Sequence, residues 1–391
     1  MILYKNIQKG KTKSYGLEWL IAILLFFLSM PYFIWPVPEL YNLLLLPFLL
    51  FLLPQFEIDK KQLVLNLLLF FSYSFIAFRV TLNNGGSALG GLFVAVTFLP
   101  FLFVKKELWI KIFESYAKLY ALLILFPIIE YILIYFVRIP IPHTLIDPSP
   151  FNSHECSYEK YYFLTVMQNG MHLFIPRFSG YFDEPGIVGT ISMGLLYATK
   201  YDLKKKYNII ILIAGILSFS FFFYLATVIY IMLFCPPKAK IAVAVIAVTL
   251  IALLWSNGFL ETNVISRFEK FFTKGGLSER DTDLFLDMYE NTSFAELFFG
   301  IIGQRVPHST SYKYLLAVCG IMPMALLSVF YFIKAYNLLK FSKEFLIYIL
   351  TYIFIIAQRP FINVTIYIFL FTVSMYALFY SQKKLSNQSC Q

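Results

Sequence analysis

The chain has 391 residues, of which 59% are hydrophobic and 14% are charged, and its mean hydropathy is +0.72. Soluble domains have about 45–50% apolar and about 25% charged residues, so this composition excludes a soluble globular protein. The formal net charge of +10 is explained by lysines that flank membrane segments, so we expect no nucleic-acid partner. The chain is predicted to be all-α, a polytopic integral membrane protein with a single membrane domain over residues 1–391.

Lysines between the apolar runs give the predicted topology. Both flanks of the long run 207–234 are rich in lysine, so both should lie in the cytoplasm. This requires an even number of crossings, and we read the run as a hairpin of two helices hinged near 218–220. The alternative is one long tilted helix, which would place the two large loops on opposite sides.

With the hairpin, the sequence predicts about twelve transmembrane helices, with both termini in the cytoplasm and two large loops, 138–185 and 257–311, on the outer face. No internal repeat is visible, which argues against a transporter built from two matching halves. The predicted spans, the hairpin included, are 17–35, 40–53, 63–78, 89–104, 116–137, 186–199, 207–234, 241–256, 312–332, 345–357 and 361–380.

The cysteines and the cations bear on the chemistry of the site. The four cysteines are scattered without metal-ligand spacing, so we expect no metal and no cofactor. In the predicted topology, 20 of the 25 lysines lie on the cytoplasmic side, whereas all seven arginines and all four histidines lie on the outer side. One explanation is a lysine-rich genome and chance. The other is an outer site that binds an anion with arginine and moves a proton with histidine.

The first large loop ends in an unusual junction, the segment 177–189, where polar residues lead into an apolar helix. Arg177 offers a planar set of donors that suits phosphate. The amino end of the helix predicted to follow Pro185 would also favour a bound anion. Glu184 is a second candidate for taking a proton. The alternative is that Arg177 forms a salt bridge with Asp183 or Glu184 and only shapes the loop.

The second large loop contains Arg267, Arg280, the glycine motif 299–303, Arg305 and His308 in that order. His308 directly precedes a predicted span, where a polar residue is well placed to act as a general base. A solvated or structurally bonded histidine is the alternative. The glycines would let the backbone approach a ligand closely.

The order of these motifs resembles the O-antigen polymerase and O-antigen ligase superfamily of bacterial membrane glycosyltransferases. The matching pieces are Arg-Phe-Ser-Gly-Tyr-Phe-Asp-Glu-Pro-Gly at 177–186, Leu-Ser-Glu-Arg at 277–280, Phe-Gly-Ile-Ile-Gly at 299–303, and His308 with Tyr312 and Gly320. The resemblance implies that Arg177 and Arg280 hold the diphosphate of an undecaprenyl-linked sugar and that His308 lies at the acceptor. We also expect Arg267, Arg305, Tyr181 and Tyr312 to bind the substrate.

The resemblance implies a metal-independent polymerase of undecaprenyl-diphosphate-linked oligosaccharide in the bacterial cytoplasmic membrane, making O-antigen or capsular polysaccharide. A chain-length regulator and a flippase of the same pathway are the expected partners, besides the bilayer. An O-antigen ligase shares the site, and the sequence barely separates the two. A lipid-linked oligosaccharide flippase would have charges inside the bundle and small outer loops. A membrane acyltransferase would place its histidine and arginine elsewhere, and a glycosyltransferase that uses lipid phosphate sugars would need an acidic pair in the first outer loop.

Overall fold

The fold is known from a computed structural model. Several segments of the two predicted outer loops lie outside the residues that it describes. The described residues are 16–34, 37, 39–146, 158–162, 165–168, 176–241, 244–245, 283–302, 304–307, 312–358, 362 and 364–388.

The described residues form fifteen α-helices and three strands, numbered in chain order, besides two short 3-10 turns. The helices are α1 (Leu17–Phe27), α2 (Glu39–Leu52), α3 (Leu63–Asn83), α4 (Ala88–Val96), α5 (Leu99–Phe103), α6 (Lys106–Tyr135), α7 (Pro185–Ala198), α8 (Lys206–Leu217), α9 (Phe221–Phe234), α10 (Asp283–Glu290), α11 (Phe294–Phe299), α12 (Tyr312–Cys319), α13 (Ile321–Leu339), α14 (Lys343–Gln358) and α15 (Thr365–Gln388). The strands are β1 (His143–Ile146), β2 (Tyr158–Tyr161) and β3 (Val166–Gln168).

The described chain is mostly helical, which confirms the predicted fold class in its main feature. By length and composition, four of its helical segments can cross a membrane: Leu63–Asn83, Lys106–Tyr135, Ile321–Leu339 and Thr365–Lys383. Six shorter apolar segments accompany them. The predicted run 89–104 divides into α4 and α5 just before Pro100, whose ring cannot donate a backbone hydrogen bond.

The first large loop contains a small sheet, which the all-α prediction omitted. Strand β2 pairs antiparallel with β1 on one side and with β3 on the other. The missed strands are short and carry mixed polar and aromatic residues, so hydrophobic periodicity gave no signal for them. The sheet is joined to the helices by Val166, whose N–H donates to the Gly180 oxygen at 2.8 Å.

One end of the helix bundle is identified by the side chain of Asn66, in the first turn of α3. Its Nδ2 donates to the Leu102 oxygen in α5 at 3.1 Å, and its Oδ1 accepts from Lys334 Nζ in α13 at 2.8 Å. At the same end, Tyr380 of α15 donates to Glu107, at the start of α6, at 2.6 Å. Helices α3 and α6 therefore begin where α5, α13 and α15 approach their ends.

The run 207–234 is a helical hairpin, as predicted. At the start of α7, Gly189 packs against Ser220, just before α9. Near the other end of α7, Tyr197 donates to the Ala226 oxygen of α9, and the Tyr201 and Tyr230 rings lie 4.5 Å apart. Helices α7 and α9 thus run in the same direction, and α8 runs back between them. The two lysine-rich flanks of the hairpin consequently lie at the same end of the bundle.

The cations separate between the two ends of the bundle. Lys200, after α7, is paired with Glu344 at the start of α14, so the hairpin flanks lie beside the lysines between α13 and α14. We call this the lysine end; the lysines that define it are Lys60, Lys61, Lys105, Lys106, Lys200, Lys204, Lys205, Lys206, Lys238, Lys240, Lys340 and Lys343. We call the opposite end the arginine end, because it carries the four arginines that the structure describes, which are Arg79, Arg138, Arg177 and Arg305.

Candidate active site at the arginine end

The junction 177–189 packs on the turn of the helical hairpin. The Phe178 N–H donates to the Leu217 oxygen at 3.0 Å, and Arg177 Nε donates to the Ser218 oxygen at 3.3 Å. The half-buried Arg177 therefore caps the carboxyl end of α8, where a cation is favoured by the helix dipole. Arg177 thus binds the turn of the hairpin that was predicted from the lysine positions.

Helix α7 begins as the sequence predicts, with Pro185 in the first helical position and Glu184 as the residue before it. The Glu184 side chain makes no capping hydrogen bond to the helix. Both Arg177 and Glu184 are partly exposed, and both make further interactions. The structure brings the two residues into one junction; whether they act on a substrate stays a prediction.

A glutamine fixes the start of α7 against two other elements. Buried Gln358, the last residue of α14, donates to the Gly186 oxygen at 3.2 Å and to Ser220 Oγ at 2.6 Å. Gly189 lies so close to Ser220 that an added Cβ would come within 2.5 Å of its Cβ. The junction is therefore held by α8, α9 and α14 together, and no motif in the sequence indicated that Gln358 takes part.

Tyr181, predicted to bind substrate, lies in the core. Its hydroxyl donates to the Leu123 oxygen at 3.1 Å, and its ring packs edge-on against Phe26. Its backbone oxygen accepts from the Tyr32 N–H at 2.8 Å. The structure gives Tyr181 the role of tying α1 and α6 to the junction, so we leave it out of the proposed site.

Gly180 shapes the same segment. Its φ of +58° is in the left-handed region that favours glycine, and an added Cβ would lie 2.5 Å from Ile124 Cδ1. Its oxygen accepts from Val166 and so holds the sheet. The sheet has a second anchor in Glu130, a fully buried carboxylate in α6 that accepts from the Thr165 N–H at 3.2 Å. A buried acidic side chain inside a predicted span thus anchors the loop.

The two tyrosines at the end of β2 differ in exposure. Tyr161 is buried and donates to Glu159 at 2.5 Å; burial, and then this hydrogen bond, raise the pKa of its hydroxyl above the usual range. Tyr162 is 79% exposed. Of these two tyrosines, Tyr162 is therefore the one whose ring is open to solvent.

A second group of functional side chains lies at the carboxyl end of α3. Arg79 and Asn83 are four residues apart on this helix and therefore share a face. Arg79 Nε and Nη2 donate to the Val318 oxygen at 3.1 and 2.8 Å, and Nη2 also donates to the Ile301 oxygen. Arg79 thus caps the last turn of α12 and binds the glycine motif at the same time.

Asn83 positions Arg305. The Asn83 amide donates to the Val306 oxygen at 3.0 Å and accepts from the Val306 N–H at 2.8 Å, which fixes the backbone next to Arg305. Asn83 also donates to the Tyr314 hydroxyl at 2.8 Å, and that hydroxyl donates to Asn84 Oδ1 at 2.8 Å. Arg305 itself is exposed.

The glycine motif serves backbone packing. Gly300 and Gly320 have φ values of +87° and +88°, and an added Cβ at either would lie within about 2.6 Å of backbone atoms of the facing segment. The space that a Cβ would take at Gly300 is filled by Val318 and Cys319, whereas a ligand beside the motif stays a prediction. This close contact brings the oxygens of Ile301 and Val318 within reach of one guanidinium.

Two adjoining clefts open here. One, of about 280 Å³, is lined by Arg79, Leu82, Asn83, Ile301, Gln304, Arg305 and Val318. The other, of about 350 Å³, is lined by Leu284, Asp287, Met288, Asn291, Thr292, Glu296 and Gln304. They share Gln304, so a basic cleft borders one that carries two carboxylates. The sequence indicated Arg79 only as one of the seven arginines on the predicted outer side.

The other predicted site residues have different outcomes. Tyr312 is half-buried in the first turn of α12, and its binding to substrate stays a prediction. The predicted general base His308, the predicted phosphate ligand Arg280 and the predicted substrate-binding residue Arg267 lie outside the described residues. Their roles stay predictions.

Comparisons with known proteins add no support to the resemblance to the O-antigen polymerase and ligase superfamily. No family model, no curated protein and no solved structure matches the chain. The functional argument therefore depends on the residues at the arginine end and on the quoted motifs.

Proposed function

We propose that the protein is a membrane glycosyltransferase that polymerises undecaprenyl-diphosphate-linked oligosaccharide repeat units into O-antigen or capsular polysaccharide. The observation that carries the proposal is the separation of the cations. Every described arginine lies at one end of the bundle, together with the described parts of the two predicted site loops, and most described lysines lie at the other end. Arginine is the side chain best suited to holding a diphosphate, because its planar donors bind two oxygens at once.

The proposed topology follows from the same separation. Lysine-rich segments stay on the cytoplasmic side, so the arginine end would face away from the cytoplasm. In this proposed topology, eleven helical passages within the described residues would join the two ends, if α4 and α5 are counted as one. The predicted span 241–256, most of which lies outside them, would be the twelfth and would return the chain to the arginine end before α10.

The proposed reaction forms one glycosidic bond. A hydroxyl oxygen of the acceptor repeat unit attacks the anomeric carbon of the donor sugar, and the bond between that carbon and the phosphate oxygen breaks. The electron pair leaves with undecaprenyl diphosphate, whose charge Arg177 and Arg280 stabilise. The hydroxyl proton passes to His308, with Glu184 as the second candidate. The arginines supply the charge stabilisation, so the proposal includes no metal ion or cofactor.

The experiment is the length of the surface glycan in a deletion strain that carries each variant in turn. Arg177→Ala, Arg280→Ala and His308→Ala should each leave single repeat units in place of long chains, while the protein remains in the membrane. Arg138→Ala, at the same end of the bundle, is the control and should restore long chains. Normal chain length in all three site variants would contradict the proposal.

The ligase alternative is separated by the product that accumulates. A strain without a polymerase exposes single repeat units on its acceptor. A strain without a ligase instead accumulates long polymer that is not attached to the acceptor. The second pattern would assign the same site to the ligase reaction.

A further inference from the structure

We propose that the basic cleft between α3 and the loop before α12 is a subsite for a diphosphate ester, held by Arg79 and Arg305. The identity of the ester rests on the proposed function, whereas the choice of an anion rests on the side chains themselves. The subsite is separate from the junction at Arg177 in sequence and in the elements that build it.

The first step is the charge of Arg305. Its guanidinium makes no hydrogen bond or ion pair with any residue that the structure describes, yet the backbone beside it is fixed by Asn83 through both polar groups of Val306. An exposed arginine on a flexible loop has no such support. A cation whose backbone is fixed at the edge of a cleft, and which has no ion-pair partner among the described residues, is arranged to receive an anion.

The second step is the orientation of Arg79. Three of its five N–H groups donate to the oxygens of Val318 and Ile301, and these contacts fix the plane of the guanidinium. Carbonyl oxygens are dipoles and leave the positive charge in place. Within the described chain Arg79 has no carboxylate partner, and the two N–H groups of Nη1 remain for a ligand. Two neighbouring phosphate groups of one ligand can thus be bound by two arginines, Arg79 and Arg305.

The third step is the room beside the cleft. The adjoining cleft shares Gln304 with the basic cleft and is lined also by Asn291, Thr292 and the carboxylates of Asp287 and Glu296. Carboxylates repel a second anion and accept hydrogen bonds from hydroxyl groups. A group that extends from the bound phosphate into this cleft should therefore be neutral and polar, which favours an ester over a free diphosphate.

The test is binding to the full-length protein purified in detergent at low salt, with geranylgeranyl diphosphate and inorganic pyrophosphate as probes. We expect Arg305→Ala to weaken the binding of geranylgeranyl diphosphate by about tenfold or more, because one charge-assisted contact is lost. Arg305→Glu should weaken it further, and Arg305→Lys should restore part of it. Arg138→Ala, the matched control outside the cleft, should bind like the wild type.

Three results would overturn the subsite. The first is equal affinity of the wild type, Arg305→Ala and Arg305→Glu for geranylgeranyl diphosphate. The second is binding of pyrophosphate without binding of geranylgeranyl diphosphate. The third is displacement of geranylgeranyl diphosphate by phosphatidylglycerol vesicles as effectively as by geranylgeranyl diphosphate itself, which would indicate a general affinity for anionic lipid. Because Arg305 is exposed, its variants should unfold at the wild-type temperature, and this is checked in parallel.

The binding test and the test of the proposed function fail separately. If Arg305→Ala binds normally while the deletion strain lacks polymer, the subsite is wrong and the proposed function stands. If binding is lost in Arg305→Ala while the deletion strain makes normal polymer, the anion subsite stands and the proposed function is wrong.

Discussion

Asn83 holds Val306 by both of its backbone polar groups, accepting from its N–H at 2.8 Å and donating to its oxygen at 3.0 Å. Val306 is buried, so Asn83→Ala leaves both groups without a partner, and we expect a loss of about 1–3 kcal/mol in the free energy of unfolding. Tyr314→Phe, the control, removes a hydroxyl from the same network and spares Val306, so its loss should be smaller. Unfolding in detergent measures both, and equal losses would contradict this role for Asn83.

Gly189 sets the distance between α7 and the turn of the hairpin. Gly189→Ala would place a carbon 2.5 Å from Ser220 Cβ, so the helix must shift, and overpacking of this kind costs about 1–3 kcal/mol. Gly90→Ala in α4 is the matched control, because its added carbon meets only an ordinary contact at 3.5 Å. Thermal unfolding should separate the two variants; an unchanged melting temperature for Gly189→Ala would show that the contact is not tight.

Tyr181→Phe decides between packing and substrate binding for this residue. The variant keeps the ring among its aromatic neighbours and loses one hydrogen bond to Leu123, so we expect a loss of about 0.5–1.5 kcal/mol in stability. Glycan chain length in cells that carry the variant should be normal. Short chains from a protein of near-normal stability would instead return Tyr181 to the substrate site.

The orientation of the bundle is tested by labelling single cysteines in intact cells. Tyr162 at the arginine end is 79% exposed, and Phe341 at the lysine end is 87% exposed. In a background without the four native cysteines, an impermeant maleimide should label Tyr162→Cys and should label Phe341→Cys only after the cells are opened. The reverse pattern would place the arginine end in the cytoplasm and remove the basis of the proposed function.

The sequence predicted those features that depend on charge and local chemistry. The lysines on both flanks of the run 207–234 indicated a hairpin, and these flanks do lie at one end of the bundle. Pro185 indicated the start of α7. The sheet of the first loop was missed because three short strands are held by pairing with each other and by Glu130, and neither leaves a periodic pattern.

The cleft at Arg79 could not be predicted for a different reason. Its contact with Val318 joins residues 239 positions apart, and a single sequence does not show which distant segments meet. The burial of Tyr181 was missed similarly, because an aromatic residue in a polar loop is read equally well as a ligand contact or as an anchor of the core.

The most direct test of the proposed function uses purified protein in liposomes, supplied with lipid-linked repeat units extracted from the deletion strain. The wild-type protein should convert them into a ladder of longer chains and release one undecaprenyl diphosphate for each bond formed, and Arg177→Ala should do neither. Repeat units that remain single in the presence of active wild-type protein, or a ladder of normal length from Arg177→Ala, would contradict the account.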